Sequence, residues 1–415
     1  MAKSKSSSDT EGAISDDDGH EEVFLDESDI IDEILLDDED LPDVDDDEYD
    51  GEEVVSEDMS LSEPDDAIHV FTHHKKSLYA VACSPKDAAL VASGGGDNLA
   101  CLWRIGCEKR IDELVGHEES ISSLAFSTDG QLLASGGLDG CVKIWNISGN
   151  LKCTLEGHDK DTEFEWVRWH SSAHLVLAGC TDATVWLWNA DRDACLNVLC
   201  GHSQSVTCGD FTPDGKSICT GSLDATLRIW NPRSGQSTVA KGYMHASALS
   251  CLAYTSDSTL ALTGAENGFV SVVNIAKGKV TSSVSSHSSS VQCIGISSSM
   301  PWVATGGADE KLVIWDLQHS ACRSVYEYQD DVSCLKWLGE SRYVASACGD
   351  GQIIIWDTRS EDHVRTFKGH SERIHELAVS ADNNFLVSAS EDGCPVVQLL
   401  TLITLCGKIM SALTI

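Results

Sequence analysis

From residue 67 onward, apolar and polar positions alternate in short runs separated by Gly/Asp turns, and one arrangement returns repeatedly. Residues 116–146 set it out: Gly116-His117, Ile121-Ser-Ser-Leu-Ala-Phe126, the turn Thr128-Asp129-Gly130, Leu132-Leu-Ala-Ser135, the turn Leu138-Asp139-Gly140, and Val142-Lys-Ile-Trp145. Alternation of period two, bounded by turn formers, predicts three half-buried strands. A fourth, Cys153-Thr-Leu155, precedes the next Gly157-His158. Each repeat should therefore make four antiparallel strands. The residue that closes the third strand falls at Trp103, Trp145, Trp188, Trp230, Val273, Trp315 and Trp356, with a defective eighth at Gln398. The intervals are 42, 43, 42, 43, 42, 41 and 42 residues.

That period, with these signatures, predicts an all-β WD40 β-propeller, a ring whose radial repetition leaves only short, protected edges. Ala67-Ile-His-Val-Phe71, followed by His73-His74, is strand-like but has no repeat of its own, while the last repeat supplies three strands from about Arg373 to Leu400. Joined, they close the ring through a shared blade and give eight blades; seven is the alternative if the last repeat fails. The expected organisation is a disordered acidic tail over 1–66, the propeller over 67–400 and an atypical apolar extension over 401–415. After Glu391-Asp392-Gly393 the chain reads Cys394-Pro395-Val-Val-Gln398, and Pro395 would cost a ladder hydrogen bond inside a central strand. The apolar run to Ile415 is interrupted by Gly407 and Lys408. Already near the minimum spanning length, it reads as a splice or gene-model product rather than a membrane anchor.

Charge narrows the partners. The net charge is -39, of which residues 1–66 carry -27 and the remainder -12. Both parts being acidic, direct nucleic-acid binding and membrane association are not expected, and basic proteins are. The tail has too few aromatic and β-branched residues to build a core. A plain solvated tail and a segment around Ile31, Ile34 and Leu35 that folds on a partner both stay open.

Seventeen Cys suggest a redox framework until their positions are read. Cys101, Cys141, Cys219, Cys251, Cys293 and Cys334 sit in apolar runs, no CxxC occurs, and the nearest approach is Cys195 with Cys200 before His202. They read as small buried hydrophobes, with no metal and no cofactor. A reduced cytoplasmic setting, or the nucleus, fits an odd count without a hydrophobic N-terminal signal.

His, Ser/Thr, Asp and Trp recur together: His117, Ser135, Asp139 and Trp145; His202, Thr220, Asp224 and Trp230; His287, Thr305, Asp309 and Trp315. A catalytic triad occurs once, in a cleft with an oxyanion hole. In WD-repeat proteins, which the chain resembles, such a quartet is a brace within each blade, so no enzyme is expected. Elsewhere the set is incomplete. Ala178 stands at the Ser place after His158, Asn267 and Val273 replace Asp and Trp after His245, and Tyr328 stands where the seventh His would be.

Ligands of propellers usually meet the end of the ring where the inner strands begin. Aligned on Leu124, the position of Ser122 is filled by Tyr79, Ser122, Glu165, Thr207, Ser250, Gln292, Ser333 and His375. Two residues earlier stand Ser77, Ser120, Glu163, Ser205, Ala248, Ser290, Asp331 and Arg373, and loops add Glu119, Asp161, Glu266, Asp330, Glu372 and Glu391. The expected partner-binding face is acidic, densest around Glu163, Glu165 and Trp166, with Tyr79 free to stack on Arg or apolar groups. It would suit a basic segment, with the protein itself a monomer.

The acidic leader, the eight repeats and their Trp/Val order resemble the angio-associated migratory cell protein family over nearly the whole chain to about Gly393. The resemblance implies a chaperone for a basic, late-joining ribosomal protein of the large subunit, as the fungal relative is, or a cell-migration scaffold, to which animal members are linked. It implies that Glu163, Glu165, Asp330, Asp331 and Glu372 hold Lys and Arg of the client. A different reading rests on Trp356-Asp357-Thr358-Arg359. It fits the WDxR box by which some WD proteins serve as substrate receptors of cullin-RING ubiquitin ligases; such short motifs are weak.

Overall fold

The alternating runs fold into eight four-stranded antiparallel sheets in a computed structural model that describes residues 67–157, 162–242 and 247–400. The acidic tail, the 401–415 extension, His158, Asp161 and His245 lie outside the described residues. The inner strands of blades 1 to 8 are Leu78–Cys83, Ile121–Phe126, Phe164–Trp169, Cys208–Phe211, Leu249–Tyr254, Val291–Ile296, Val332–Trp337 and Ile374–Val379.

Seven blades are contiguous in the chain. The eighth is built from both ends, Ile374–Val379, Phe385–Ser390 and Val396–Leu399 being completed by His69–Val70. His69 pairs with Val397 and Val70 with Val396. The Ile68 N–H donates to the Val397 carbonyl at 3.0 Å, and the Phe71 N–H to the Pro395 carbonyl at 3.1 Å. Pro395 stands just before the strand, so its missing N–H falls outside the ladder while its carbonyl still accepts. Gln398 pairs with Leu386 as Trp145 pairs with Leu133, which puts the amide in the place of the repeat's indole.

Apolar side chains pack between neighbouring sheets rather than on the axis. Trp145 lies among Leu102, Leu114, Ile121 and Leu133 of blades 1 and 2. Trp103 shares a cluster with Phe71, Val387 and Val397, the Phe71 ring stacked on the indole at 4.8 Å. Both ends of the ring thus meet in one apolar contact.

A bulge near the start of the inner strand recurs in seven blades. Ile121 pairs with Gly137 and Ser123 with Gly136, leaving Ser122 outside the ladder; Leu78/Ala80, Phe164/Trp166, Leu249/Cys251, Val291/Cys293, Val332/Cys334 and Ile374/Glu376 repeat the shift. A bulge re-aims one side chain, here the second residue of the strand. In two blades the next residue is a Cys packed against a glycine that leaves no room for a Cβ: one on Gly264 would sit 2.5 Å from Cys251 Sγ, and one on Gly306 2.6 Å from Cys293 Sγ.

Candidate functional site

The bulged residues Tyr79, Ser122, Glu165, Ser250, Gln292, Ser333 and His375, with Thr207 at the equivalent place in the bulge-free blade 4, all line one axial channel of about 380 Å³. They are of two kinds. Ser122, Thr207, Ser250 and Ser333 donate to carbonyls of the next blade, those of Phe164, Leu249 (2.6 Å), Val291 and Ile374 (2.6 Å). These hydroxyls knit the ring. Tyr79, Glu165, Gln292 and His375 form the mouth without such a bond to the next blade's carbonyls. Tyr79 is 38% exposed, with the His375 ring edge-on at 5.4 Å, and His375 Nε2 lies 3.0 Å from Glu391 Oε1.

Glu165 accepts from Ser205 Oγ at 2.6 Å. Burial pushes its carboxyl above the usual range, the Ser205 hydroxyl opposes this, and Glu163 alongside adds to it. No Lys or Arg among the described residues forms an ion pair with Glu163 or Glu165. Glu119, Glu163, Glu266 and Glu372 are exposed, and half-buried Asp330 accepts the Asp331 N–H at 2.8 Å.

Two expected contact residues are corrected. Trp166 is 5% exposed and donates its indole N–H to the Val206 carbonyl at 2.7 Å. One residue past the bulge, it points into the wall, where its ring fills the space over Gly179 and Gly209. Asp331 is already neutralised: Arg373 donates to its two oxygens at 3.1 and 2.6 Å, and to Gln292 Oε1 at 2.8 Å.

Deeper in the channel lies a charge layer that sequence reasoning missed. Arg168 Nε is 3.9 Å from Asp210 Oδ2, and Lys336 and Glu376 line the same lumen. Glu376 accepts the Val81 N–H at 3.0 Å. Burial pushes Asp210 up to about 6 against the pull of Arg168, although 40% of its side chain opens to the lumen. Extending the repeat alignment three residues past the Ser122 position would have found Arg168, Asp210 and Lys336 as the charged members among Ala82, Ala125, Ala253, Gly295 and Ala378.

The recurring quartets lie around the same end. In blade 2, His117 Nδ1 meets Asp139 at 3.0 Å, Nε2 meets Ser135 Oγ at 2.7 Å, and the Trp145 indole donates to Ser135 Oγ at 2.9 Å. The carboxylate fixes the proton on Nδ1, so Nε2 accepts from the hydroxyl, whose oxygen accepts from the indole. Blade 4 repeats this with His202, Asp224 (2.9 Å), Thr220 (2.8 Å) and Trp230 (2.8 Å). In blade 6, His287 reaches Asp309 (2.7 Å) and Thr305 (2.9 Å), but Trp315 Nε1 is buried without a partner. There the expected quartet loses one leg, and the Thr305 hydroxyl lies 3.5 Å from the Val313 carbonyl.

Two braces were missed. His74 meets Asp97 (3.0 Å) and Ser93 (2.9 Å), with Trp103 donating to Ser93 at 3.0 Å; its spacing to Asp97 is 23 residues, not 22. His370 meets Asp392 and Ser388, both at 2.7 Å. In blade 7 the Tyr328 phenol rebuilds the bridge, hydrogen-bonding Ser346 and accepting from the Trp356 indole.

The Trp356-Asp357-Arg359 motif is divided. Asp357 is 5% exposed, bound to Arg342 Nε at 2.8 Å and to the Arg359 N–H at 3.0 Å. Trp356 is half-buried, and Arg359 is exposed.

With this geometry in hand, the chain can be set beside known proteins. The family described as WD domain, G-beta repeat matches residues 66–104, 108–146, 149–189, 193–231, 278–316, 320–357 and 361–395. The unmatched stretch is blade 5, which has lost Asp and Trp to Asn267 and Val273 yet still folds as a blade. Angio-associated migratory cell protein of Homo sapiens is 30% identical over 351 residues, 80% of each chain. Ribosome assembly protein SQT1 of Saccharomyces cerevisiae is 32% identical over 208 residues, 46% of this chain and 47% of that one. Among solved structures, Sqt1 of Chaetomium thermophilum bound to the N-terminus of ribosomal protein L10 superimposes with a TM-score of 0.73 at 20% identity, covering 81% of this chain and 100% of that one.

Proposed function

Since the chain belongs to the angio-associated migratory cell protein family of WD-repeat propellers, we propose that it is a non-enzymatic escort for a basic ribosomal protein of the large subunit, held at the acidic mouth of its channel. The carrying observation is the pair Glu163 and Glu165: two adjacent carboxylates, one exposed and one half-buried, with no cationic partner among the described residues. A half-buried carboxylate next to another favours a guanidinium or ammonium brought by a partner. A propeller of similar fold has been solved bound to the N-terminus of ribosomal protein L10, which supports a ribosomal-protein segment as the client. Steering by the acidic surface would speed capture, and salt would weaken it because the screening length is about 8 Å at physiological ionic strength.

The test is calorimetric titration of a synthetic peptide carrying the L10 N-terminus into the full chain, beside Glu163→Lys/Glu165→Lys. Salt-sensitive binding is expected. Charge reversal should cost roughly 2–5 kcal/mol, the range for disrupting a desolvated charge pair. No binding by a wild-type ring that unfolds cooperatively, or full binding by the double variant, overturns the reading. Arg359→Ala, on the other side of the assignment, should leave this binding untouched.

A further inference from the structure

The acids at the mouth are not equivalent, and the difference comes from one side chain. At the position before the bulge, six blades carry Ser, Ala or Glu; blade 7 carries Asp331 and blade 8 carries Arg373. Arg373 lies across three blades, forked onto both oxygens of Asp331 and onto Gln292 Oε1. Its side chain is 36% exposed and that of Asp331 14%, so the pair is a half-desolvated surface bridge rather than a core one. A guanidinium on a carboxylate is the contact a basic client would make.

We propose that Arg373 is a built-in occupant of the mouth. It fills the blade 6–8 sector with the protein's own cation, and so confines a client's cations to the open sector around Glu163 and Glu165. This rests on the acidic-mouth reading and sharpens it into a rule of orientation. Arg373 acts as a specificity-determining residue through Asp331, and two consequences follow. A single neutralisation of Arg373 should create a second cation site, and a single neutralisation of Asp331 should release a positive charge at the mouth that repels basic clients.

The experiment compares wild type, Arg373→Gln, Asp331→Asn and the double variant, using the L10 N-terminal peptide and hexa-arginine as probes. Arg373→Gln should bind hexa-arginine about ten-fold tighter, or 1.4 kcal/mol, with a steeper salt dependence. Asp331→Asn should bind more weakly than wild type, and the double variant should return to near wild-type affinity. Unfolding midpoints confirm that each variant is folded; should Arg373→Gln fail to fold, Arg373→Lys, which cannot fork, should give a smaller gain. Unchanged or weaker binding by folded Arg373→Gln, or a gain that survives in the double variant, overturns the proposal. If wild type ignores the L10 peptide while the hexa-arginine pattern holds, the client reading fails and the Arg373 assignment stands.

Discussion

Blades 2 and 8 hold the same brace on very different foundations. In blade 2, His117, Ser135, Asp139 and Trp145 come from one unbroken repeat and every polar leg is satisfied. In blade 8, His370, Ser388 and Asp392 are as tightly joined, yet the outer strand comes from the other end of the chain and Gln398 replaces the indole. Gln398 is 1% exposed, and its Oε1 has no hydrogen-bond partner. The brace is therefore two devices. Its His–Asp leg orders the loop at the mouth and is indifferent to the Trp; its Trp leg anchors packing inside the blade, and blade 8 keeps its four-stranded sheet without that leg.

The sharpest way to break the comparison is at the closure. Val397 is fully buried beside Phe71 and Trp103, so Val397→Asp should destabilise by about 4 kcal/mol or more through an unpaired buried charge. Hydrogen exchange should show the loss first at residues 68–71; a loss spread evenly around the ring would deny that closure is the weak point.

Next is Asp139→Ala against Asp392→Ala, each about 3 kcal/mol by chemical denaturation, because a buried network loses its hub. Equal costs support an autonomous His–Asp leg, and a near-zero cost in blade 8 denies it. For both acids burial works against the charge, but bonds from His117 and the Glu118 N–H, or from His370 and the Cys394 N–H, outweigh it and hold the pKa below 3.8. Their stabilisation is complete above pH 3.8 and is lost as pH falls through the folded value.

A smaller test swaps the Trp place. Trp145→Phe removes the donor to Ser135 and should cost about 1 kcal/mol, whereas Gln398→Leu relieves an unsatisfied buried carbonyl and should stabilise by about the same. Thermal unfolding midpoints moving in the same direction would erase the distinction.

The least effect lies between blades. His174 of blade 3 lies between Asp129 of blade 2 (3.0 Å) and Asp191 (2.9 Å). Burial lowers its pKa, but the bonds to Asp191 and Asp129 outweigh this and raise it above 6.5. Its contribution is fully present below pH 6.5 and fades as pH rises through the folded value. At these exposed carboxylates it should stay under about 1 kcal/mol. His174→Gln should flatten the stability profile in that window, and an unchanged profile would remove His174 from the account.

Much of this was legible in the sequence, because strand period, turn residues and the indole spacing are local signals that every repeat restates. The closing strand at Ala67–Phe71 and the eight channel positions followed from the same register. What escaped was set by neighbours. His74 was hidden by a loop one residue longer than the others. Trp166 was assigned to the surface because an alignment cannot show that a bulge turns one residue to the axis and the next into the wall. Asp331 counted as a free acid because Arg373, 42 residues away, adjoins it only across blades. Half the channel positions proved to be hydroxyls spent on the next blade's carbonyls, a use invisible within any single repeat.

The shared blade also carries a clock. Translation delivers residues 69–70 hundreds of residues before Val396 and Val397, and domains fold as their parts emerge. Tyr79 can face His375, and Arg373 can cover Asp331, only once the last repeat has left the ribosome. The channel mouth is thus completed only when the eighth blade closes, and a chain made only as far as the seventh blade has strands and indoles in place but no ring.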